Sequence, residues 1–560
     1  MQSLLERATL RGWFATRFRA GARSAARLAC CLGAGVALFA IAMPSGPASA
    51  QDGRRQPTFG RALSYELSVP VDQLTPRRKP SAPVVIPNRI NPLAGEPDGG
   101  RRGTWTRPRP PLDPLVSRSQ NRFGRTPKPD LKFNGTGNPV ACGGCSPPDT
   151  IGDVGKNHYI QMVNATKVTI YDKTGKRLKK PFDLGDLWSS GACMENHGDP
   201  VVLYDEKANR WLLAQFHGFG TNRLCFAISQ TGNPKGAFHL YEFITTAFPD
   251  YFKVGVWRNG YYVSANETTY TSYAFNRTKM LAGDPTAEMV KFTGETNFLM
   301  PADIDGPGLP GGGGLFYTFK DGGFHGGSDR IELFRLNPDF VTPESSTFTL
   351  IKTIPIAPFT YTVCGDFNFS CVRQMDTARR LDAVSEWPMH RLAYRKFANR
   401  EVLVGNFTVG GGINGPGGTG EVGAAIRWFE LRKTTGNWKL FQEGTHDPAD
   451  GHDRFMGSIA IDKKGNIALG YSVSSSAMFP SVRYVTRKPG DPKGTMGPEK
   501  TLRAGGGSQT SIENRWGDYS AMSVDPVTGC QFWYTNEFYK ATSTSTWSTI
   551  IGAFTNRNCP

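Results

Sequence analysis

The sequence lacks the short motifs that mark several large enzyme classes. It has no GxSxG nucleophile turn, no Walker phosphate loop, no HExxH helix and no second CxxC beside the CGGC at Cys142. The glycine-rich stretches DGGFHGG and VGGGINGPGG do not join a strand to a helix, so a phosphate-binding loop is not expected there. Any chemistry must therefore come from residues that lie far apart in the chain.

Long segments with the 3.6-residue apolar periodicity of an amphipathic helix are also absent. Instead, 65 glycines and 40 prolines are spread among short apolar runs. Both residues favour turns and interrupt regular elements, so this composition is typical of many short strands joined by turns. The sequence predicts an all-β fold.

The first 140 residues differ from the rest of the chain. Residues 1–50 combine several arginines, the apolar run LACCLGAGVALFAIAM and a final ASA motif, a pattern typical of a cleaved bacterial signal peptide. The run is about 16 residues long, short of the ~20 of a bilayer span, so we expect no transmembrane segment in the mature chain. Residues 51–140 are rich in Pro, Arg and Gly and predict a flexible basic linker. We expect a secreted or periplasmic protein whose folded domain is residues 141–560.

Most of the net charge of +17 lies in these two N-terminal segments. The basic character therefore belongs to the signal and the linker, and it does not indicate a nucleic-acid partner. Two roles are open for the linker: contact with an anionic cell surface, or a solvated spacer. We expect the mature protein to be a monomer.

Eight cysteines remain after the predicted signal, an even number that indicates disulfides in an exported chain. The CGGC motif also admits a redox or zinc half-site. Pairing of sequence neighbours predicts four disulfides: Cys142–Cys145, Cys193–Cys225, Cys364–Cys371 and Cys530–Cys559.

Similar segments recur along the chain, at first with a spacing near fifty residues. Each has a polar residue followed by a strand-like apolar run, as in GDPVVLYD, DYFKVGVW and RFMGSIAID. Repeats of this length are typical of propeller blades, so each polar anchor is predicted to begin the innermost strand of a blade. The sequence predicts a single seven-bladed β-propeller, with a two-sheet sandwich or a pair of β-domains as the alternative. The anchors are Asp149, Asp199, Asp250, Asp303, Arg391, Arg454 and Asp518.

Within the repeats, a polar turn joins two apolar strands. The turn carries an Asp in VVLYDEKANRWLLAQF, SIAIDKKGNIALGYS and MSVDPVTGCQFWYTN, and Asn259-Gly260 in VGVWRNGYYVSAN is a hairpin signal. Less than one period of chain follows Asp518. The last blade is therefore predicted to take its outer strand from the N-terminal segment, either ALSYELSVPV or the run near Asn138.

The starts of the inner strands and the ends of the second strands lie on one face of a propeller, so their polar residues are expected to line one funnel. Two blades carry matching groups at these positions: Asp250-Tyr251 with Asn266-Glu267, and Asp518-Tyr519 with Asn536-Glu537. The candidate catalytic residues are Asp250, Tyr251, Asp518, Tyr519, Glu537 and His390. The candidate substrate-binding residues are Arg391, Arg454, Arg515, Asp199, His197, Asp303, Asn266 and Glu267.

Three successive inner strands are preceded by Arg391, Arg454 and Arg515. Converging guanidinium groups would hold the carboxylate of an acidic sugar through paired hydrogen bonds. Alternatively, the arginines balance the Asp anchors in structural ion pairs. His197 or His390, with a neighbouring tyrosine, would abstract the proton next to a uronate carboxylate in a lyase, or either is a hydrogen-bonded structural histidine.

The carboxylates of the anchors admit three interpretations. Two that flank a glycosidic bond act as acid and base, several together bind calcium, or each stabilises a turn through its side chain. Calcium is the candidate cofactor, and the sequence assigns no metal ligands.

Five segments together resemble a family of secreted bacterial β-propeller proteins of uncharacterised function: PPDTIGDVGKNHYIQMVN, DPVVLYDEKANRWLLAQF, SEWPMHRLAYR, RFMGSIAIDKKGNIALGYS and RWGDYSAMSVDP. The resemblance covers Cys142 to Cys559 and extends, more remotely, to the sialidase-type propeller group. The Asp-box of that group, SxDxGxTW, is met only in part by DKKGN and DPVTGCQFW. The sialidase-type resemblance implies an arginine trio, a tyrosine with an acidic partner and an aspartic acid, for which the matching positions are Arg391, Arg454, Arg515, Tyr519, Glu537 and Asp250.

These patterns favour a propeller whose funnel recognises an anionic extracellular or cell-surface polysaccharide and, in a catalytic version, cleaves it as a glycoside hydrolase or a polysaccharide lyase. The alternative is a non-catalytic extracellular surface or protein-interaction module. Three arginines around one site, beside an Asp and a Tyr, would favour the enzyme. Arginines that are each paired with a neighbouring Asp would favour the module.

Overall fold

Short β-strands account for nearly all the regular structure, as the sequence predicts. No helix in the described part of the chain is long and apolar enough to cross a membrane. The predicted signal (1–50), Cys364 and most of residues 78–123 lie outside the described residues. The computed structural model describes residues 56–75, 77, 113–116, 124–218, 220–295, 297–361, 363, 371–413 and 422–559.

The strands fall into three groups along the chain: the N-terminal strands, then the first and the second half of the strands that form the repeats. The N-terminal strands are β1 (Thr58–Arg61), β2 (Ser64–Leu67) and β3 (Leu131–Asn134). The first half comprises β4 (Ile151–Val154), β5 (His158–Val163), β6 (Lys167–Asp172), β7 (Phe182–Asp183), β8 (Gly198–Asp205), β9 (Arg210–His217), β10 (Arg223–Ser229), β11 (Phe238–Ile244), β12 (Asp250–Val256), β13 (Tyr261–Asn266), β14 (Tyr270–Phe275) and β15 (Glu288–Glu295).

The second half has longer strands on average. It comprises β16 (Met300–Asp305), β17 (Gly314–Lys320), β18 (Arg330–Asn337), β19 (Thr347–Pro355), β20 (Leu392–Phe397), β21 (Arg400–Ile413), β22 (Val422–Lys433), β23 (Lys439–His446), β24 (Asp453–Ile461), β25 (Ile467–Ser475), β26 (Met478–Arg487), β27 (Lys500–Arg503), β28 (Ala521–Val524), β29 (Gln531–Tyr539) and β30 (Trp547–Thr555). The α-helices of the described residues are α1 (Arg277–Ala282) and α2 (Gly322–His325).

Consecutive strands form antiparallel meanders of four strands, except for the last, in which β3 completes β28–β30. The sheet orders are β4-β5-β6-β7, β8-β9-β10-β11-β2, β12-β13-β14-β15-β1, β24-β25-β26-β27 and β28-β29-β30-β3. One larger sheet, β19-β18-β17-β16-β20-β21-β22-β23, consists of two meanders joined where β16 pairs in parallel with β20. Each meander matches one repeat of the sequence.

The first strands of the meanders form a closed circle. Each of β4, β8, β12, β16, β20 and β24 contacts the first strand of the next meander, and β28 returns to contact β4. The outer parts of the first and last meanders also meet, because Tyr159 on β5 stacks on Trp533 of β29 with ring centroids 5.0 Å apart. This arrangement is that of a β-propeller, whose radial closure leaves only short sheet edges.

The predicted turns explain why each meander folds back on itself. The carboxylate of Asp205 accepts hydrogen bonds from Lys207 N and Ala208 N, and Asp462 and Asp525 make the same kind of turn after β24 and β28. Such side-chain contacts imitate a backbone turn and reverse the chain between two strands. The predicted Asn259-Gly260 hairpin is also present, with Trp257 N donating to Gly260 O.

The N-terminal segment adds strands at the outer edges of the sheets. β1 pairs with β15, β2 pairs with β11, and β3 pairs with β30 as the fourth strand of the last sheet. β3 lies next to the run near Asn138 that the sequence singled out. The expected flexible linker therefore contains three strands, because pairing with an exposed sheet edge satisfies backbone groups that composition alone does not reveal.

Three of the four predicted disulfides are confirmed. They join Cys142 to Cys145, Cys193 to Cys225 and Cys530 to Cys559. The last bond fixes the chain after β30 to the turn between β28 and β29. Cys371 is buried, and its predicted partner Cys364 lies outside the described residues.

Candidate functional site

The inner strands begin with an irregularity that takes their leading residues out of the ladder. The pairing of β8 with β9 shifts between Gly198 and Val201, and the pairing of β12 with β13 shifts between Asp250 and Lys253. Asp199 and Tyr251, inside these two bulges, have φ of 47° and 51°. Bulges re-aim side chains and are common where polar groups gather at a barrel or propeller mouth.

Several leading residues meet in a buried charged group that we call the axial cluster: Asp149, Asp199, Asp250, Lys253, Asp518 and Glu537. One carboxylate oxygen each of Asp149, Asp199 and Asp518 lies within 4.8 Å of the others. Asp518 N donates to Asp149 Oδ1 at 2.8 Å. Asn164 links Asp149 to Asp199, because its side chain donates to Asp149 Oδ2 and accepts from Asp199 N. The first, second and last meanders are thus joined at one point.

Lys253 supplies a positive charge that the sequence analysis did not identify. Its ammonium group lies 3.5 Å from the ring centroid of Tyr251 and 4.1 Å from that of Tyr519, and it donates to the carbonyls of Tyr251 and Phe252. Burial lowers the pKa of Lys253 to about 8, although the nearby aspartates act in the opposite direction. A lone lysine inside the apolar run DYFKVGVW was the available signal.

Three carboxylates of the axial cluster, those of Asp149, Asp199 and Glu537, hold protons more tightly than ordinary carboxylates. Burial raises the pKa of Asp149 to about 7; the charge of Asp518 adds to this rise and Arg515 opposes it. Burial also raises the pKa of Asp199 and Glu537 well above their usual range. Negative charges that lack solvent and have few cations nearby must be neutralised.

The three predicted arginines do not share one carboxylate site. Arg391 contacts Asp303 at 3.2 Å and also Asp305. Arg454 pairs with Asp450 at 2.8 Å and with Glu499 at 2.7 Å, and Arg515 pairs with Asp518 at 2.6 Å. All three guanidinium groups are largely buried in these pairs. The contacts match the structural ion-pair interpretation rather than a trio around one ligand.

Asp303 also departs from its predicted place. It is the fourth residue of β16 rather than the start of a strand, and Val256 N donates to its Oδ1 at 2.9 Å. Its partners are therefore Arg391 and the neighbouring strand β12. β16 begins three residues before Asp303, at Met300, so the spacing of the aspartates alone does not locate the start of this strand.

The remaining catalytic candidates, Tyr251, Tyr519 and His390, are buried, and the long insertion between β19 and β20 packs on the first of them. Trp387 of this insertion packs on Tyr251 with ring centroids 4.5 Å apart, and Tyr251 Oη donates to Pro388 O at 3.2 Å. Tyr519 Oη donates to Pro200 O at 2.9 Å. His390 is buried, and burial lowers its pKa well below the usual range. These side chains are packed in the interior rather than presented to solvent.

The predicted pairing of strand starts with strand ends is partly present. Asp250 and Asn266 are register partners, and Asn266 Nδ2 donates to Asp250 Oδ2 at 3.3 Å. Glu267 instead accepts a short hydrogen bond from Tyr273 Oη, and Asn536 donates to Ser472 and Tyr534. Glu537 lies in the axial cluster.

His197, a predicted face residue, lies with Glu195 and His217 in a group that reaches solvent through Glu195, and we call it the His–Glu site. Glu195 Oε2 lies 2.9 Å from His197 Nε2 and 3.2 Å from His217 Nε2. The two imidazoles stack with centroids 4.0 Å apart. The Glu195 side chain is 66% exposed, whereas the His197 and His217 side chains are only 10% and 7% exposed. His197 comes just before β8 and His217 ends β9, so the predicted face brings them together.

The backbone beneath the His–Glu site is held firmly. Gln215 Nε2 donates to the carbonyls of Cys193 and Glu195, both at 2.9 Å, and the disulfide from Cys193 to Cys225 ties the same turn to β10. The sequence identified His197 as a candidate but gave Glu195 no role, because nothing in the loop GACMENHG marks which polar residue faces the histidines.

Comparisons with known proteins give no family for this chain. No family model and no curated protein matches it. Solved structures that it resembles include the WD40 domain of SCAP from fission yeast, with 8% identity over 72% of this chain and 95% of that chain and a TM-score of 0.30. An α-L-arabinanase of Penicillium chrysogenum complexed with arabinobiose has 8% identity over 77% and 99% of the two chains and a TM-score of 0.32.

A polysaccharide lyase described as a PL25 ulvan lyase has 13% identity over 73% of this chain and 80% of that chain, with a TM-score of 0.27. Similarities this weak carry no argument about activity. The propeller assignment therefore rests on the strand order and on the closed circle of inner strands.

Proposed function

We propose that the chain is an exported seven-bladed propeller that binds an anionic polysaccharide through the His–Glu site. The observation that supports this most directly is a pair of oriented N–H donors, on His197 and His217, that meet at one exposed carboxylate. A uronate carboxylate of a ligand can replace the Glu195 carboxylate on the same two donors. The ligand class is that expected from the sequence, but its binding residues are the histidines instead of the arginine trio.

The hydrogen bonds fix which nitrogen of each imidazole carries the proton. Gly218 N–H donates to His197 Nδ1 at 3.1 Å, so the proton of neutral His197 is on Nε2. An ionised Glu195 only accepts, so His217 also donates through Nε2, and its Nδ1 accepts from Thr221 Oγ1 at 2.5 Å. Both donors are thus preorganised for a carboxylate, which lowers the entropy cost of binding one.

A binding assay with matched polysaccharides tests this proposal. The probes are a polyuronate and the same polymer with its carboxylates reduced to alcohols. His197→Asn and His217→Asn are each expected to weaken polyuronate binding by about 10- to 100-fold, the effect of losing a hydrogen bond to a charged group. His239→Asn, on β11, is the control and is expected to bind like the wild type. Equal binding of both polymers, or unchanged binding by the histidine variants, would contradict the proposal.

A second candidate function is a non-catalytic protein-interaction module, favoured by the separate ion pairs of Arg391, Arg454 and Arg515. The same assay separates the classes. An increase in reducing ends, or in the ultraviolet absorbance of an unsaturated uronate, indicates cleavage. Binding without either product indicates recognition alone, and no binding to any polysaccharide favours the protein-interaction module.

A further inference from the structure

We infer that a calcium ion binds in the axial cluster, between Asp149, Asp199 and Asp518. These residues come from three different meanders, yet a carboxylate oxygen of each lies within 4.8 Å of the others. Calcium takes six to eight oxygen ligands at about 2.3–2.6 Å. Three oxygens that all lie within 4.8 Å of one another share a point no more than about 2.8 Å from each, so a small side-chain adjustment brings all three to the calcium–oxygen distance.

A second observation points to a ligand at the same place. Glu537 is 2% exposed, and its Oε2 has no hydrogen-bond partner among the described residues. Its other carboxylate oxygen lies beside Gly517, as does the backbone nitrogen of Asp149. Asp199 Oδ2 is a second buried oxygen that has no hydrogen-bond partner among the residues that the structure describes. Buried polar atoms in a native protein nearly always have a partner, and an unobserved ion is one of the explanations for an atom without one, so the unpartnered oxygens of Glu537 and Asp199 support a ligand here.

The charges of the axial cluster are also out of balance. Among the described residues, five carboxylates, Asp250 included, interact here, and the basic side chains that act on them are Lys253 and Arg515. The hydrogen bonds of Lys253 go to two backbone carbonyls, and its remaining close contacts are the Tyr251 and Tyr519 rings. A divalent cation with oxygen ligands would neutralise the excess negative charge where water cannot.

The cation would also strengthen the closure of the ring. Asp149 precedes β4, Asp199 lies in β8, and Asp518 precedes β28, so one ion would join the first, second and last meanders. A ligand that binds only the folded state raises its stability by mass action. Calcium is therefore expected to act on stability, independently of any polysaccharide bound at the His–Glu site.

Thermal unfolding of the full-length mature protein tests the inference without any substrate. After removal of metal with EDTA, saturating calcium is expected to raise the Tm by about 3 to 6 °C. Terbium, a calcium substitute, is expected to show luminescence sensitised by the nearby Tyr519. An unchanged Tm together with no sensitised terbium signal would overturn the inference. An equal Tm increase with magnesium alone would overturn the assignment to calcium.

Variants locate the ion. Asp199→Asn and Glu537→Gln are expected to abolish the calcium-dependent increase in Tm, whereas Asp525→Asn, which alters a buried carboxylate in the turn after β28, is the control and should retain it. Lys253→Met removes a competing positive charge and is expected to tighten terbium binding. Retention of the full increase by both Asp199→Asn and Glu537→Gln would place the ion elsewhere and overturn the inference.

Discussion

The His–Glu site and the axial cluster contain residues only two positions apart in sequence, His197 and Asp199, yet the two groups have opposite environments. Glu195 of the first is largely exposed, whereas the carboxylates of the second are buried. Trp387, in the insertion before β20, packs on Tyr251 beside Lys253 of the axial cluster, whereas the Glu195 side chain is 66% exposed. Polar residues on one face of a propeller therefore divide into a group that stabilises the ring and a group that can meet a ligand.

The largest expected effect tests the buried side of this comparison. Arg391→Met leaves Asp303 and Asp305 buried without their cation and is expected to lower the free energy of unfolding by about 3 to 5 kcal/mol. Lys167→Met breaks a more exposed 2.7 Å pair with Asp183 and is expected to cost about 0 to 1 kcal/mol. Urea unfolding measures both. Equal losses would show that burial does not distinguish the two kinds of pair.

A pH effect of intermediate size is expected at Asp153. Burial raises the pKa of Asp153 to about 8; Arg391 opposes this rise and Asp303 adds to it. The unfolded carboxyl titrates near pH 4, so the folded state retains a proton that the unfolded chain releases, and the stability contributed by Asp153 is lost as the pH rises from about 4 to 8.

Asp153→Asn removes this titration while keeping one acceptor oxygen for the backbone of β8. Between pH 5 and pH 8 the free energy of unfolding is expected to fall less for the variant than for the wild type, by a difference of at least about 1 kcal/mol. Denaturant unfolding at several pH values measures the difference. Parallel pH profiles for the two proteins would contradict the raised pKa.

The smallest expected effect tests the accessible side. Glu195→Ala removes the internal carboxylate that competes for His197 and His217, so polyuronate binding is expected to strengthen by about two- to fivefold, because an exposed contact of this kind contributes at most about 1 kcal/mol. Glu344→Ala, an exposed acid in another loop, is the control. Calorimetric titration measures both variants. Weaker binding by Glu195→Ala would mean that Glu195 contacts the ligand itself.

The sequence predicted the strand architecture better than the site. Asp205, Asp462 and Asp525 revealed their turns because the side chain bonds to backbone only two or three residues away. The disulfide between Cys193 and Cys225 was predicted from a similar short-range signal, because both cysteines lie within one repeat, and the structure confirms it. Information of this kind lies within a short stretch of chain.

The partners of the charged residues could not be predicted in this way. Arg454 pairs with Glu499, 45 residues further along, and Arg391 pairs with Asp303 and Asp305 on another meander. The burial of Tyr251 involves Trp387 of the insertion before β20, and the sequence does not show where that insertion packs. The three arginines therefore have the residue type expected of a carboxylate-binding site, but each forms a separate structural ion pair.

Histidine magnetic resonance during a titration tests the central claim most directly. With isotope-labelled histidines, a uronate oligosaccharide is expected to shift the Nε2–H signals of His197 and His217 together, with one dissociation constant, and to leave buried His390 unchanged. Binding that leaves both signals in place, or that shifts His390 instead, would contradict recognition at the His–Glu site.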